Sequence, residues 1–180
     1  MIYNDGTPKK PQAEPPVETS SVYQDLVQHF CRQGNSVNLI VKGELDWRAL
    51  IHRIQSEELK NLLILDLGEP GAETRQWVIS RFCELLGCRA SIPGKPHDLA
   101  VFGDAIRNHQ PTHLALLHAD WLFDRHEEYG IEFCNALRWM ANDRKWPLLI
   151  HSKVPYPRLI PHLPKNHPLS ELHLYPIELG

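Results

Sequence analysis

The sequence predicts a three-layer α/β domain in which a mainly parallel, five-stranded sheet carries helices on both faces. Two observations lead to this fold class. Five short runs are almost wholly apolar, as strands buried on both faces are, and most of them are separated by segments with helical spacing of apolar residues. Because parallel neighbours need a crossover connection, this alternation predicts a sheet covered on both sides. The five runs are VNLIV (37–41), NLLILDL (61–67), THLALLH (112–118), WPLLIHS (146–152) and ELHLYPI (171–177).

Helices are predicted where apolar residues recur every three or four positions. Ser20 or Ser21 is expected to cap the first helix, Gly34 to end it, and Asp46 to cap the second. The helical segments are VYQDLVQHFCRQ (22–33), WRALIHRIQ (47–55), AETRQWVISRFCELLG (72–87), a segment around 99–106, and EEYGIEFCNALRWMAND (127–143).

The composition predicts one domain preceded by a tail. Residues 1–19 are rich in proline and charge and poor in large apolar side chains, so we expect a disordered tail followed by a single domain over residues 20–180. A formal net charge of -3 provides no broad cationic surface, which argues against a nucleic-acid or membrane partner. No apolar run approaches the length of a membrane helix, and we expect a cytoplasmic protein.

The four cysteines show no paired CxxC spacing, so reduced, packed thiols are predicted rather than a zinc site. They are Cys31, Cys83, Cys88 and Cys134.

The turn after the first strand has the position of a phosphate-binding loop but lacks its chemistry. The pattern GxxxxGK[ST] cradles phosphates with backbone amides, reaches them with a lysine and holds magnesium with a hydroxyl. Counted from Gly43, the second glycine position is Arg48, the lysine position is Ala49 and the hydroxyl position is Leu50. All three requirements fail.

Acidic residues in the same turn would repel a nucleotide. The carboxylates of Glu44 and Asp46 would face about four negative charges of a triphosphate, a repulsion of several kcal/mol at the intermediate dielectric of a surface cleft. Trp47 is expected either to fill the vacated space or to pack as an ordinary aromatic residue.

The third predicted strand provides an independent test of nucleotide chemistry. In nucleotide hydrolases of this architecture, such a strand ends in an aspartate for magnesium, followed by an acid that positions water. Here LALL is followed by His118 and Ala119, and Asp120 lies two places after the position expected for the magnesium aspartate. A neutral imidazole is a poor ligand for magnesium, and an alanine cannot polarise water.

Read in order, these stretches resemble the STAND class of P-loop ATPases, which includes NACHT-like and bacterial conflict-system proteins. The likeness spans residues 20–179, and it implies the strand order 5-1-4-3-2, with the first and third strands flanking the fourth. The matching stretches are SVYQDLVQHFCRQ leading into VNLIVKG, then LALLHADWLF, PLLIHSKVP and LHLYPIEL.

Members of the STAND class bind ATP and switch conformation through an attached helical region. None is expected in this chain, which ends shortly after the fifth predicted strand, so it resembles the inactive STAND-like domains of bacterial defence and conflict loci. The resemblance implies a pseudo-ATPase without a cofactor, acting as a protein-interaction or regulatory subunit. Its partners would be other protein subunits, such as an effector or an active ATPase encoded nearby. The alternative is an unrelated α/β domain in which VKGELDW is an ordinary turn.

A metal-dependent hydrolase is a second alternative. His118, Asp120, Asp124 and His126 follow the third strand, in the region where α/β sheets place ligands, and nitrogen and oxygen ligands could hold a hydrolytic metal. The competing interpretation is that Asp124 caps the next helix and that His118 forms a hydrogen bond within the sheet.

Aromatic and basic residues near two strand ends indicate a partner surface. Trp121 and Trp146 border predicted strands, and Lys153 and Arg158 lie in a proline-rich segment beyond the fourth strand. Tryptophan and arginine are enriched at protein interfaces. The alternative interpretations are that the tryptophans pack in the core and that the basic residues lie in a solvated segment.

Overall fold

The computed structural model describes residues 17–43, 46–88, 99–159 and 167–180. Within them lies one five-stranded sheet in the order β2-β3-β4-β1-β5, in which all neighbouring strands are parallel. This confirms the predicted fold class and the strand order implied by the resemblance. The strands are β1 (Val37–Val41), β2 (Leu63–Asp66), β3 (Leu114–Leu117), β4 (Leu148–Ser152) and β5 (Tyr175–Leu179).

Helices connect the strands and cover both faces of the sheet. They are α1 (Val17–Leu26), which continues as a π-helical turn (Val27–Arg32), α2 (Trp47–Glu57), α3 (Arg75–Leu85), α4 (Leu99–Asn108), α5 (Trp121–Asp124), α6 (His126–Asn142) and α7 (Tyr156–Leu159). Within the described residues, two 3-10 turns, Pro70–Glu73 and Pro168–Glu171, also lie in the connections. Across the described ranges, no helix is long and apolar enough to cross a membrane.

Side chains alternate between two apolar cores because successive residues of a strand point to opposite faces of a sheet. In β3, Leu114 and Leu116 enter one core, and Ala115 and Leu117 enter the other. All four are buried, which explains why the strand is a continuous apolar run rather than an alternating one.

Each core is closed by its own helices. Phe30 of the π-helical turn and Ile54 of α2 are fully buried in one core. Phe82 of α3, Phe102 of α4 and Phe133 of α6 are fully buried in the other. Burying each such side chain stabilises the fold by about 1.5–3 kcal/mol, so the two cores hold the three layers together.

Several predicted boundaries are wrong at helix and strand ends. Helix α1 begins at Val17, so neither Ser20 nor Ser21 caps it, and the rest of the predicted tail, residues 1–16, lies outside the described residues. Strand β5 covers 175–179 rather than 171–177. Its predicted start is occupied by the 3-10 turn that Pro168 begins, and proline at the first position favours such a turn.

Candidate functional site at the carboxyl edge of the sheet

Four polar or aromatic side chains meet where the carboxyl ends of the strands reach one edge of the sheet. Asp66 ends β2, His118 directly follows β3, and His151 is the penultimate residue of β4. Trp47 begins α2 and packs against both histidines. Open parallel sheets place their ligand sites at this edge.

Helix α2 begins with its own acidic cap. The Oδ1 atom of Asp46 accepts a hydrogen bond from the backbone N–H of Ala49 at 3.0 Å, which confirms the predicted cap. Gly43, which has a left-handed φ of 96°, precedes this turn, and Glu44 lies outside the described residues. A helix N-terminus attracts anions, and at α2 the carboxylate of Asp46 supplies the negative charge at that end.

Trp47 anchors the start of α2 to the sheet. Its side chain is 8% exposed, and its indole stacks on the imidazole of His151 with ring centroids 3.8 Å apart. It also meets His118 edge to face, with centroids 5.3 Å apart. The guanidinium of Arg48 lies 4.4 Å from the centroid of the same indole. The space beside β4 is therefore filled by an aromatic ring.

The imidazole of His118 lies between the carboxylate of Asp66 and the guanidinium of Arg48. Its Nδ1 atom lies 2.6 Å from Oδ1 of Asp66, and its Nε2 atom lies 3.4 Å from a terminal nitrogen of Arg48. Because a guanidinium only donates, Nε2 is the acceptor and Nδ1 carries the proton that is donated to Asp66. The backbone N–H of Gly68 also donates to Oδ1 of Asp66, at 2.8 Å.

The backbone of His118 is strained. Its φ of 52° lies in the left-handed region, which non-glycine residues seldom adopt. The hydrogen bond from its side chain to Asp66 and the one from its backbone N–H to Nδ1 of His151, at 3.1 Å, hold it in this conformation. Strained positions of this kind cluster at functional sites.

His151 is a neutral imidazole inside the site. Its Nδ1 accepts the hydrogen bond from His118, so that nitrogen carries no proton. Burial, followed by repulsion from His118, lowers the pKa of His151 to about 4. Neighbouring Arg48 and Lys153 lower the pKa further, and Asp66 partly opposes them. His151 therefore packs as a flat polar ring and not as a cation.

A small cavity of about 200 Å³ lies between α2 and the ends of β2 and β3. Its wall includes Trp47, Arg48 and Asp66. Small-molecule sites measure roughly 300–1,000 Å³, so this cavity is smaller than most of them.

The loop after β4 is fixed by a satisfied polar network. Buried Asn38 of β1 donates through Nδ2 to the carbonyl of Ile150 at 3.0 Å and to Oγ of Ser152 at 2.8 Å. Its Oδ1 accepts from the backbone N–H of Tyr156 at 2.8 Å. Ser152 in turn donates to the carbonyl of Val154 at 2.7 Å. Since each side-chain polar group has a partner, the loop is held in one conformation.

The four residues of the candidate metal cluster do not converge. His118 is engaged by Asp66, as described above, and Asp120 accepts from the backbone N–H of Lys153 at 3.2 and 3.3 Å. Burial raises the pKa of Asp120. Asp124 and His126 are exposed. In the part of the chain that the structure describes, no group of three or more His, Cys, Asp or Glu side chains is placed to hold a metal.

Asp124 does not cap the following helix, which corrects that interpretation. Helix α6 begins at His126, and the preceding residue, Arg125, provides no side-chain cap. Asp124 is instead the last residue of the short helix α5. The interpretation that His118 forms a hydrogen bond within the sheet agrees with its contact to Asp66 on β2.

The residues of the predicted partner surface separate into two groups. Trp121 is 38% exposed and lies under the guanidinium of Arg125, 3.6 Å from the ring centroid, while Lys153 and Arg158 are exposed. Trp146 is fully buried and lies 5.9 Å from Phe82 between ring centroids. Trp146 therefore belongs to the core and not to the surface, because it precedes a buried strand and points into the layer of α3.

Asp66 and His151 are not among the site residues predicted from the sequence. A signal for both is present, since each is a polar residue at or near the end of an otherwise apolar strand. What the sequence lacks is the pairing: Asp66 and His118 are 52 positions apart, and only neighbouring strands bring them together.

The structure is similar to two solved protein structures. The Orc1 protein of Aeropyrum pernix, solved in complex with DNA, matches with a TM-score of 0.59 and 15% identity over 91% of this chain and 44% of its own. The Walker-type ATPase of Pyrococcus abyssi matches with a TM-score of 0.59 and 13% identity over 94% of this chain and 55% of its own.

This chain thus spans about half the length of either protein. No family model matches the sequence, and no curated protein sequence matches it. At these identities the similarity concerns the fold, and this chain has the fold of a P-loop NTPase-like α/β domain.

Proposed function

We propose that this chain is a catalytically inactive STAND-like domain that serves as a protein-interaction or regulatory subunit in a bacterial defence or conflict system. One observation carries the proposal. The N-terminus of α2, where nucleotide hydrolases of this fold bind phosphate, is capped by the carboxylate of Asp46 and followed by the buried ring of Trp47.

The cap opposes a nucleotide through charge. The carboxylate of Asp46 already uses the N–H of Ala49, one of the donors that a phosphate would need. A triphosphate brought to the same place would meet a negative charge at short range. Arg48 supplies a positive charge nearby, but its guanidinium lies against Trp47 and His118.

The position at which nucleotide hydrolases of this fold carry a magnesium-binding aspartate is taken by His118 in this chain. Both ring nitrogens of His118 have partners: Nδ1 donates its proton to Asp66, and the lone pair of Nε2 accepts from Arg48 and is therefore not free for a metal. Ala119 is fully buried and carries no polar group that could orient water. These contacts support the view that ATP hydrolysis has no machinery at this edge.

The same edge offers a rigid surface for a protein. The hydrogen bonds from Lys153 N–H to Asp120 join the loop after β4 to the loop after β3, which leads into Trp121. Trp121 and Val154 are each 38% exposed. An aromatic ring with nearby cations is typical of an interface centre, and the fixed loops would reduce the entropy lost on binding.

Calorimetric titration with magnesium ATP tests the loss of nucleotide chemistry. We expect no binding heat at micromolar nucleotide and no release of phosphate over hours. An active Walker-type ATPase, measured in the same buffer, is the positive control. Micromolar affinity or phosphate release would overturn the proposal.

Affinity capture from the native host tests the interaction role. The wild-type chain, Trp121→Ala and Tyr175→Ala are compared side by side. Tyr175 is an exposed aromatic residue at the amino end of β5, opposite the candidate surface, so it is the matched control. We expect one protein, encoded near this chain, to be lost with Trp121→Ala and kept with Tyr175→Ala. Equal recovery with both variants would exclude this surface.

A further inference from the structure

Two cysteines face each other at the end of α3. The helix closes with a Schellman motif, in which the N–H of Cys88 donates to the carbonyl of Cys83 at 2.9 Å and the N–H of Gly87 donates to that of Glu84 at 2.9 Å. Gly87 adopts the left-handed φ of 68° that this motif requires. The motif characteristically brings the side chains of the two residues it joins into contact, which here are both thiols.

The two thiols differ in environment. Cys83 is 1% exposed, whereas Cys88 is half-buried. Burial, and then the charge and hydrogen bond of Cys88, raise the pKa of Cys83 to about 11. The accessible thiol is therefore Cys88, and the buried thiol lies directly behind it.

A histidine lies beside the accessible thiol. Sγ of Cys88 is 3.7 Å from Nε2 of His109 and 3.9 Å from its Nδ1. Nδ1 of His109 lies 2.8 Å from the carbonyl oxygen of Ala105, to which it can only donate. In the neutral imidazole Nε2 is then unprotonated, so it can accept the thiol proton of Cys88.

We propose that Cys88, Cys83 and His109 form a peroxide-reactive dithiol site, with Cys88 as the reacting thiol, Cys83 as the resolving thiol and His109 as the base. Because Cys88 is only half-buried, its thiol is open to a small oxidant, and the substrate class is hydrogen peroxide or a small organic hydroperoxide. This site is separate from the carboxyl edge of the sheet, so it does not depend on the proposed regulatory function.

The chemistry requires one hydroperoxide for each disulfide. Cys88 passes its proton to His109, its sulfur attacks one peroxide oxygen and breaks the O–O bond, and His109 returns the proton to the departing oxygen. This produces a sulfenic acid and an alcohol, or water when the oxidant is hydrogen peroxide. The thiol of Cys83 then attacks Sγ of Cys88 and displaces the hydroxyl as water. The two thiols together lose two electrons, and the peroxide gains these two electrons.

The disulfide would replace the contact between Cys88 and His109 by a bond within the end of α3. Because His109 follows α4, that contact joins the ends of the two helices. Oxidation would therefore remove this one contact, while the rings of Phe82 and Phe102 still join the two helices.

Peptide mapping of the full chain provides the test. The folded protein is treated with hydrogen peroxide at equal concentration, the remaining thiols are alkylated in denaturant, and the protein is cleaved with trypsin. Cleavage after Arg81 and Arg89 yields the peptide FCELLGCR, which contains both thiols. We expect this peptide to lose two hydrogen atoms in mass and to resist alkylation, and dithiothreitol should restore both thiols.

Variants separate the three roles. Cys83→Ser should leave a sulfenic acid on Cys88 that dimedone traps, and Cys88→Ser should abolish oxidation of the peptide. His109→Gln should slow oxidation of Cys88 at least about tenfold and move its pH profile to higher pH, because the thiol then lacks its base. Circular dichroism confirms that each variant is folded, and Cys88→Ala replaces Cys88→Ser if the serine variant does not fold.

Cys31 is the matched control within the same chain. It is also half-buried, and burial raises its pKa to about 11. Cys31→Ser should leave oxidation of the peptide unchanged. The proposal is overturned if the peptide stays doubly alkylated after peroxide treatment, if dimedone labels Cys31 as fast as Cys88 in Cys83→Ser, or if His109→Gln reacts at the wild-type rate.

Discussion

The indole of Trp47 and the imidazole of His151 are stacked, with ring centroids 3.8 Å apart and an angle of 23° between the rings. This contact joins the first turn of α2 to β4, the central strand of the sheet. It places a ring pair beside the N-terminus of α2, and helix N-termini are the ends that bind phosphate in P-loop NTPases. Trp47 therefore contributes both to the packing of this edge and to the proposed loss of nucleotide binding.

Replacing Trp47 with alanine should strongly destabilise the domain. The ring is 8% exposed, and removing a buried tryptophan costs about 3–5 kcal/mol through lost burial and the resulting cavity. Urea denaturation measures the change. Trp47→Phe is the control, because it keeps an aromatic ring for His151, and it should cost clearly less. A loss below about 1 kcal/mol for Trp47→Ala would show that the ring is not part of the core.

Acid should destabilise the domain through His151. Its pKa in the folded state is about 4, below the ordinary value of 6.5, so the unfolded chain binds more protons between these values. Stability therefore rises from about pH 4 to about pH 6.5 and is fully present above that range. The contribution of this one group is about 3 kcal/mol.

Urea denaturation of the wild type and of His151→Asn across this pH range isolates the contribution of His151 to the free energy of unfolding. The amide oxygen of asparagine can accept the N–H of His118, but it does not titrate. Burial also lowers the pKa of His113 and of His167, so some pH dependence of the same sign should remain in the variant. An unchanged slope would assign the acid sensitivity to residues other than His151.

Removing the cap of α2 should have a moderate cost. Asp46→Ala leaves the N–H of Ala49 without its partner, and such a loss typically costs about 1 kcal/mol. Asp46→Asn keeps an acceptor oxygen and should be nearly neutral in thermal unfolding. If both variants were equally destabilised, the charge of Asp46 would matter more than its hydrogen bond.

Replacing Gly68 with alanine should disturb the pair of His118 and Asp66. A Cβ atom at Gly68 would lie 2.7 Å from Nδ1 of His118 and 3.1 Å from Oδ1 of Asp66. Crowding of this kind costs about 1–3 kcal/mol, which chemical denaturation can measure.

Gly103→Ala is the matched control for Gly68→Ala. A Cβ atom at Gly103 has no neighbour within 4 Å, and the residue lies inside α4. Alanine there should stabilise the domain by up to about 1 kcal/mol through helix propensity. Similar effects of the two substitutions would contradict close packing at Gly68.

Local patterns predicted most elements of the fold. All five strands were recognised because their sequences are mainly apolar runs; in VNLIV, which is buried along its whole length, Asn38 is the one polar residue. The predicted ends were less accurate. Asp124 looked like a cap but lies in a separate short helix, and Trp146 looked like an interface residue but is fully buried. A strand-flanking tryptophan has the same local sequence context in either case.

By itself, the sequence determined the alternation of strands and helices, the cap at Asp46 and the absence of phosphate-loop residues at Arg48, Ala49 and Leu50. These depend on neighbours along the chain. Only the tertiary structure decided that His118 meets Asp66 and that Trp47 stacks on His151. Such contacts join residues distant in sequence, and they exist only because the order of the strands brings their carboxyl ends to one edge.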